Sequence, residues 1–273
     1  MIMEILKRMK WTIKRLMSKL DKVSFALLLY TLFIIVMFFL IDNANKIIFG
    51  WSPKCGCSHI KKIYYFLAKN KINCLIHVEN EYIKNLPNDI ENYTVIIITR
   101  NPYKRIVSGF LNKYRVDGPF RSKWTQEIIS FSGFVDELMK KNWNVIDRHH
   151  FIPQTREKFN EEKIMRAKCI KCYDIENIDY NYLEDLYNKK IPIELLNFRG
   201  NNRKKYDEDF NEPVYDLNME DYYNFNVDVA YFYSKEIKDK VYNFYINDFI
   251  FFNKLGFWNL EDLCPPVAQQ FKN

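Results

Sequence analysis

The hydrophobic positions form one long run near the N-terminus and several short runs after it. Residues 23–41 (VSFALLLYTLFIIVMFFLI) hold 19 consecutive uncharged side chains, enough for one helix to cross the ~30 Å hydrocarbon core of a bilayer. Residues 94–99 (TVIIIT) instead form a β-branched run without polar alternation, which is typical of a strand inside a parallel sheet. The pattern therefore predicts a transmembrane segment followed by a domain with a buried sheet.

The rest of the chain alternates between short strands and amphipathic helices. Further strands are predicted at 47–51, 73–78 and 168–174, and helices at 59–70, 103–114, 131–141, 180–188 and within 229–257. Residues 147–154 and 198–213 are polar and are predicted as loops. Strands that alternate with helices indicate an α/β fold.

The charges near the N-terminus give the predicted topology a direction. Residues 1–22 carry seven basic and two acidic side chains, and the positive-inside rule keeps such an end in the cytosol. The predicted organisation is a basic cytosolic tail (1–22), a transmembrane signal-anchor (23–41) and a lumenal domain (42–273). A cleaved signal peptide or a buried helix is the alternative for the apolar run. Because the tail supplies +5 of the formal +7, no nucleic-acid partner is implied.

Two short motifs lie where a predicted strand turns into a helix. Residues 51–58 (WSPKCGCS) end the strand at 47–51, and residues 100–108 (RNPYKRIVS) follow the strand at 94–99. The carboxyl ends of parallel strands share one edge of a sheet, where α/β folds bind ligands. Small residues at a helix start leave backbone N–H groups for an anion, and Lys54 and Arg100 add positive charge. The motifs therefore predict a ligand with two separated anionic groups.

The first motif differs from the P-loop of nucleoside-triphosphate hydrolases. That loop has the form GxxxxGK followed by Ser or Thr, whereas this chain has Cys57 in place of the lysine, and Lys54 precedes Gly56. A phosphoryl-transfer enzyme with a P-loop-like site is kept as an alternative.

Taken together, the motifs resemble those of sulfotransferases that use 3′-phosphoadenosine 5′-phosphosulfate (PAPS). PKCGCS (53–58) is similar to the PK-x-G-C-S/T loop of the membrane-bound, Golgi-type carbohydrate sulfotransferases, and residues 100–113 are similar to their R-D/N-P-x-x-R-x-x-S-x-F-x-x-K segment. HFIPQ (150–154), CIKCYDIENI (169–178) and VYNFYINDFIFF (241–252) also look like later blocks of that family. The resemblance implies a P-loop-like three-layer fold with a central, mainly parallel sheet. It also implies sulfuryl transfer from PAPS to a glycan hydroxyl.

The resemblance assigns roles to single residues. Lys54 would contact the phosphosulfate and stabilise charge on the leaving group. The other donor-binding residues of this loop would be Cys55, Gly56, Cys57 and Ser58. Arg100 and Ser108 would hold the 3′-phosphate, while Arg105 between them is interpreted as a solvated helix charge.

The acceptor hydroxyl needs a general base, and histidine is the side chain most easily poised for that role near neutral pH. His150 lies in a segment that resembles the family, and His77 ends the predicted strand at 73–78, so the two are equal candidates. Glu79 is a carboxylate alternative. His59 is expected to cap or face the first helix, and His149 to be an exposed neighbour.

The cysteines leave two alternatives open. Cys169 could pair with Cys172 or Cys264 in an oxidising lumen. The other alternative is a zinc site, whose ligands would be Cys55, Cys57, Cys169 and Cys172. The spacing of these cysteines is not that of paired zinc knuckles. The chemistry itself requires no metal, because Lys, Arg and backbone amides can meet the charge of the donor.

The expected partners are a glycan or glycoconjugate acceptor and the membrane. Asn92-Tyr93-Thr94 is a glycosylation sequon, compatible with a lumenal glycoprotein. A membrane-tethered, non-catalytic glycan-binding protein on the same fold is the second alternative function.

Overall fold

A computed structural model describes residues 38–72, 86–155, 161–192, 194 and 206–257. They belong to a unit that begins at Val36, and the preceding unit, Met1–Ile35, lies outside the described residues. The predicted cytosolic tail, most of the predicted membrane span, and the predicted strand at 73–78 with His77 and Glu79 are also outside them, as is Cys264.

A four-stranded sheet organises the described fold. Its strands, in spatial order, are β1 (Phe38–Asp42), β2 (Ile47–Trp51), β3 (Thr94–Thr99) and β4 (Cys169–Asp174). β2, β3 and β4 are parallel neighbours, whereas β1 pairs antiparallel with β2. The predicted mixed α/β class with a mainly parallel sheet is confirmed. The predicted strands at 47–51 and 94–99 have the observed bounds, and the one at 168–174 begins one residue early.

Helices follow the strands. They are α1 (Cys57–Lys69), α2 (Pro102–Lys113), α3 (Phe131–Met139), α4 (Arg148–Phe151), α5 (Glu161–Met165), α6 (Tyr180–Tyr187), α7 (Met219–Tyr222), α8 (Lys235–Phe244) and α9 (Ile246–Lys254). A small parallel pair, β5 (Asp209–Phe210) and β6 (Asn226–Val227), lies between α6 and α8 in sequence. The loops predicted at 147–154 and 198–213 were wrong where α4 and β5 form, because one helical turn or two paired residues leave no periodicity to detect.

Side chains of the sheet alternate between two apolar cores. On β3, Val95 and Ile97 belong to a core shared with α2, α3, α8 and α9. Ile96 and Ile98 belong to the other core, shared with α1 and α6. Helices therefore cover both faces of the sheet, which explains why β3 is apolar along its length. This layering agrees with the three layers that the family resemblance implies.

Strand β1 corrects the end of the predicted transmembrane span. Phe38–Ile41 were expected to finish a membrane helix, but they form the outer strand beside β2, with Leu40 almost fully buried. An uncharged run cannot show where a membrane segment would end and a buried strand begin, because both are uniformly apolar. None of the helices in the described part of the chain has the length and apolar character needed to cross a bilayer.

Candidate active site

The segments that follow β2, β3 and β4 meet at one edge of the sheet. Trp51 at the end of β2 lies beside Ile98, and Thr99 at the end of β3 lies beside Asp174. The N–H of Ile175 donates to the Thr99 carbonyl at 3.0 Å, which joins the β4 loop to the start of α2. Both sequence motifs therefore lie at the carboxyl edge, where α/β folds bind ligands.

The loop between β2 and α1 is a tight turn that leaves the helix start open. The N–H of Cys55 donates to the Ser52 carbonyl at 3.1 Å, and Lys54 and Gly56 have φ values of 66° and 71°. A Cβ on Gly56 would lie 2.1 Å from Cδ1 of Ile175, so glycine is needed both for space and for its backbone angle. No side chain caps α1, and the first N–H groups of a helix have no intrahelical acceptor. The start of α1 can therefore bind an anion.

The remaining residues of this loop divide into two kinds. Cys57 and Ser58 form the first turn of α1 and are partly exposed, in a position to face a ligand. Cys55 is fully buried, and its thiol lies 2.9 Å from Oε1 of Gln154. Burial raises the pKa of this thiol to about 12. Both the N–H and the thiol of Cys55 are thus used inside the protein, and Cys55 supports the loop instead of offering a donor to the ligand.

The side chain of Lys54 extends from the β2–α1 loop to polar side chains on α2. Its ammonium group contacts Oδ1 of Asn112. Burial and, to a smaller extent, the positive charge of Lys113 lower the pKa of Lys54 to about 8. An anion bound here would stabilise the ammonium form. Ser108 lies four residues before Asn112, so it shares that face of α2.

His150 and Asp147 form a hydrogen-bonded pair close to these side chains. Nδ1 of His150 lies 2.6 Å from Oδ2 of Asp147, and Nζ of Lys113 lies 3.5 Å from the same oxygen. Burial acts to raise the pKa of Asp147, but the bond from His150 and the charges of His150 and Lys113 outweigh it, so the pKa lies below its usual value. An ionised carboxylate only accepts, so Nδ1 carries the proton and Nε2 has a free lone pair.

The protonation state of His150 suits a general base. Burial lowers its pKa, Asp147 opposes that effect, and the positive charges of Lys113 and Lys54 add to it. The imidazole is therefore neutral near pH 7, with a carboxylate ready to stabilise the imidazolium once a proton is accepted. Of the two equal candidates, only His150 lies among the described residues, and its surroundings fit the role.

Arg105 is a residue that sequence reasoning misjudged. It is 1% exposed and is no solvated helix charge. Its guanidinium donates to the carbonyls of Pro53 (3.0 Å), Ile152 (2.9 Å) and His150 (3.0 Å). Arg105 therefore ties the loop between β2 and α1, which contains Lys54, to the segment that carries His150.

Gln154 is a second buried support that the sequence did not single out. Its Oε1 accepts from Oγ1 of Thr99 at 2.8 Å as well as from the thiol of Cys55, and its Nε2 donates to the Arg100 carbonyl at 3.0 Å. Its own N–H donates to Oδ2 of Asp248 on α9 at 2.8 Å. Gln154 thus joins the ends of β2 and β3 to the closing helix. The motif HFIPQ gave a signal for this segment, but nothing in it indicated the partners of Gln154.

Arg100 begins the second motif as predicted. Its Nη2 lies 3.7 Å from Oε1 of Glu176, and its buried Nε has no hydrogen-bond acceptor within the described ranges. Ser108 lies two turns further along α2 and is partly exposed. Arg100 therefore has unused donor capacity at the ligand edge.

The other two described histidines lie beside aromatic rings. Nε2 of His59 lies 2.7 Å from the hydroxyl of Tyr180 at the start of α6. His149 is exposed, as predicted, with its ring centroid 5.9 Å from that of Phe38 and 4.8 Å from that of His150. His59 therefore contacts a phenol hydroxyl and His149 lies beside aromatic rings, whereas His150 contacts the carboxylate of Asp147.

The cysteine arrangement does not support the zinc alternative. Cys169 lies beside Thr94 at the start of β3, which is the opposite edge of the sheet from Cys55 and Cys57. These three thiols and that of Cys172 are free, so the Cys169–Cys172 pair is not formed. Over the described ranges, no group of three or more His, Cys, Asp or Glu side chains could hold a metal ion.

Comparison with known proteins identifies the family. A sequence model of the Sulfotransferase family matches residues 37–254. Comparisons with curated proteins and with solved structures gave no match. The matched range runs from the residue before β1 to the last residue of α9, so it contains both strand-end motifs and the His150 segment. The chain belongs to the Sulfotransferase family, the enzymes of sulfuryl transfer.

Proposed function

We propose that this enzyme transfers the sulfuryl group of PAPS to a hydroxyl of a carbohydrate. The observation that carries the proposal is the meeting of three features at one sheet edge: the ammonium group of Lys54, the uncapped start of α1 and the Asp147–His150 pair. Sulfuryl transfer needs positive charge for a leaving phosphate and a base for the acceptor hydroxyl. Both requirements are met within this cluster.

The residues fit both anionic ends of the donor. The N–H groups at the start of α1, with Lys54 beside them, suit the phosphosulfate. The buried Nε of Arg100, which has no acceptor among the described residues, gives capacity for the 3′-phosphate, and the hydroxyl of Ser108 on α2 is a second donor. A guanidinium fork is well matched to a phosphate.

The proposed reaction is an in-line displacement. The acceptor oxygen forms a bond to sulfur while the bond between sulfur and the bridging phosphate oxygen breaks. Nε2 of His150 takes the acceptor proton, and Asp147 stabilises the imidazolium through Nδ1. Lys54 and the N–H groups of α1 stabilise the charge that builds on the leaving phosphate. The products are the sulfated acceptor and adenosine 3′,5′-bisphosphate (PAP).

The carbohydrate acceptor rests on the resemblance of the two motifs to carbohydrate sulfotransferases. The rings of Phe38 and the exposed His149 beside His150 add support, because sugar rings pack on aromatic surfaces. An acceptor hydroxyl that reaches His150 would bring its sugar next to these rings.

A single-pass type II membrane location in a Golgi-like lumen is part of the proposal. It rests on the basic residues 1–22 and on the uncharged run that precedes β1. Because β1 takes residues 38–41, this run is 23–37, or about 22 Å as a helix. A span of that length needs flanking lysines such as Lys22 to reach the interface. Resistance of the full chain to carbonate extraction would support its insertion in a membrane, and full release into the supernatant would refute that insertion.

Calorimetry with two nucleotides tests the donor. We expect PAP to bind the wild-type enzyme and to bind Lys54→Met at least about tenfold more weakly, because a buried charge-assisted contact is lost. ATP at the same concentrations should give little heat. Binding of ATP without binding of PAP would refute PAPS as the donor and favour a phosphoryl-transfer enzyme.

A further inference from the structure

Glu176 is an acidic residue that lies beside Arg100, at the edge of the sheet that we propose binds the anionic donor. It follows β4, and its N–H donates to Oδ1 of Asp174 at 2.9 Å. Asp174 is the neighbour of Thr99 across the sheet, so the backbone of Glu176 is fixed beside the start of α2. Its side chain is 47% exposed and therefore free to change direction.

The carboxylate of Glu176 lies near two cationic side chains, but it forms a hydrogen bond with only one of them. Oε2 lies 2.7 Å from Nζ of Lys104, a full hydrogen bond. Oε1 lies 3.7 Å from Nη2 of Arg100, which is beyond hydrogen-bond length. The buried Nε of Arg100 still has no acceptor in the described part of the chain. The negative charge of Glu176 therefore lies close to Arg100, but Glu176 accepts no hydrogen bond from the Nε or Nη2 of Arg100.

We propose that Glu176 is a specificity-determining residue that tunes the affinity of the 3′-phosphate end of the nucleotide. The inference rests on the proposed function, in which Arg100 binds that phosphate. Without nucleotide, the carboxylate balances the charge of Arg100. When a 3′-phosphate arrives, the carboxylate turns fully towards Lys104 and repels the phosphate from there. This repulsion keeps PAP from binding too tightly and speeds its release.

Lys104 is the second part of this arrangement. It is exposed on α2 and holds the carboxylate away from Arg100. Without Lys104, Glu176 would remain with Arg100 and compete with the phosphate more strongly. The effect of Lys104 on PAP affinity should therefore depend on the presence of Glu176.

Calorimetric titration of the full chain with PAP and with 5′-AMP, which lacks the 3′-phosphate, tests the proposal. We expect Glu176→Gln to lower the Kd for PAP by about 3- to 10-fold and to leave the Kd for 5′-AMP unchanged. Glu91→Gln is the matched control, because Glu91 is also an exposed carboxylate paired with an arginine, Arg166 at 3.4 Å. It lies before β3, at the opposite edge of the sheet, and should change neither Kd.

A double-mutant cycle separates the roles of the two side chains. Lys104→Met should raise the Kd for PAP in the wild-type background and have a smaller effect in the Glu176→Gln background. An unchanged or higher Kd for PAP in Glu176→Gln, or equal effects of Lys104→Met in both backgrounds, would overturn the inference while PAP binding itself upholds the proposed donor. Absence of PAP binding by the wild type would overturn both.

Discussion

Replacing Asp147 by asparagine removes the carboxylate that orients the candidate base while keeping the shape of the side chain. Asp147 is buried, and its Oδ2 accepts the 2.6 Å hydrogen bond from Nδ1 of His150. An asparagine can donate its own N–H to Nδ1, which moves the imidazole proton to Nε2. In that tautomer the nitrogen that should take the acceptor proton is already protonated. The variant should therefore fold normally and turn over slowly.

The size of the loss follows from two contributions. A hydrogen bond between charged groups contributes about 1.5–3 kcal/mol, and its loss in the imidazolium state lowers kcat by about 10- to 150-fold at 1.36 kcal/mol per factor of ten. The wrong tautomer lowers the population of active enzyme as well. Together they should bring the loss into the range of about 10²- to 10⁴-fold that general-base catalysis provides. The Kd for PAP should change little, because the side chain of Asp147 contacts His150 and Lys113, which are not among the residues proposed to bind PAP.

The assay is the pH dependence of kcat/KM with a saturating donor and one acceptor glycan. Asp147 raises the pKa of His150 against the lowering effect of burial, so its removal lowers that pKa. The acidic limb of the profile should move to lower pH in Asp147→Asn while the plateau falls. A loss of less than about tenfold, or a reduced plateau with an unmoved limb, would refute the assignment of His150 as base.

Three further predictions concern the loop between β2 and α1 and the side chain of Arg105 that holds it. Gly56→Ala should weaken PAP binding and lower the free energy of unfolding in urea by about 1–3 kcal/mol. The new Cβ would clash with Ile175, and alanine would be strained at the φ of 71° that residue 56 adopts. An unchanged denaturation midpoint would contradict this. Arg105→Met removes the guanidinium donors from the carbonyls of Pro53, Ile152 and His150 and should lower stability by about 2–4 kcal/mol and reduce both PAP affinity and kcat. A loss of only PAP affinity or only kcat would show that Arg105 does not couple the β2–α1 loop to His150. PAP affinity should fall as the pH rises through about 8, where Lys54 loses its proton, and calorimetry of Lys54→Met should show no such fall; equal pH dependence in both proteins would assign the titration elsewhere.

The sequence was sufficient for those elements whose local pattern agrees with their surroundings. β3 is a β-branched run in the middle of the sheet, and α2 begins at Pro102, where a proline is favoured at the first helical position. The two anion motifs were found for the same reason, because a strand end, a small turn and a helix start are adjacent in sequence.

The missed features depend on contacts between distant segments. Arg105 lies on the buried face of α2, and helical periodicity cannot tell which polar residue will meet a carbonyl from another loop. The sequence did not indicate a role for Asp147, because that role depends on its contacts with Lys113 on α2 and with His150. β1 was assigned to the membrane span because its residues are as apolar as those before them. In each case the tertiary fold decided what the local pattern left open.

Transfer of radiolabelled sulfate from PAPS to a panel of glycans is the most direct test of the central claim. The account predicts that wild-type enzyme labels at least one glycan, that Lys54→Met and His150→Ala lose this labelling by about 10²-fold or more, and that Glu91→Gln retains it. If a glycan binds but no glycan is labelled at any PAPS concentration, the account is contradicted and the protein is a non-catalytic glycan-binding protein on this fold.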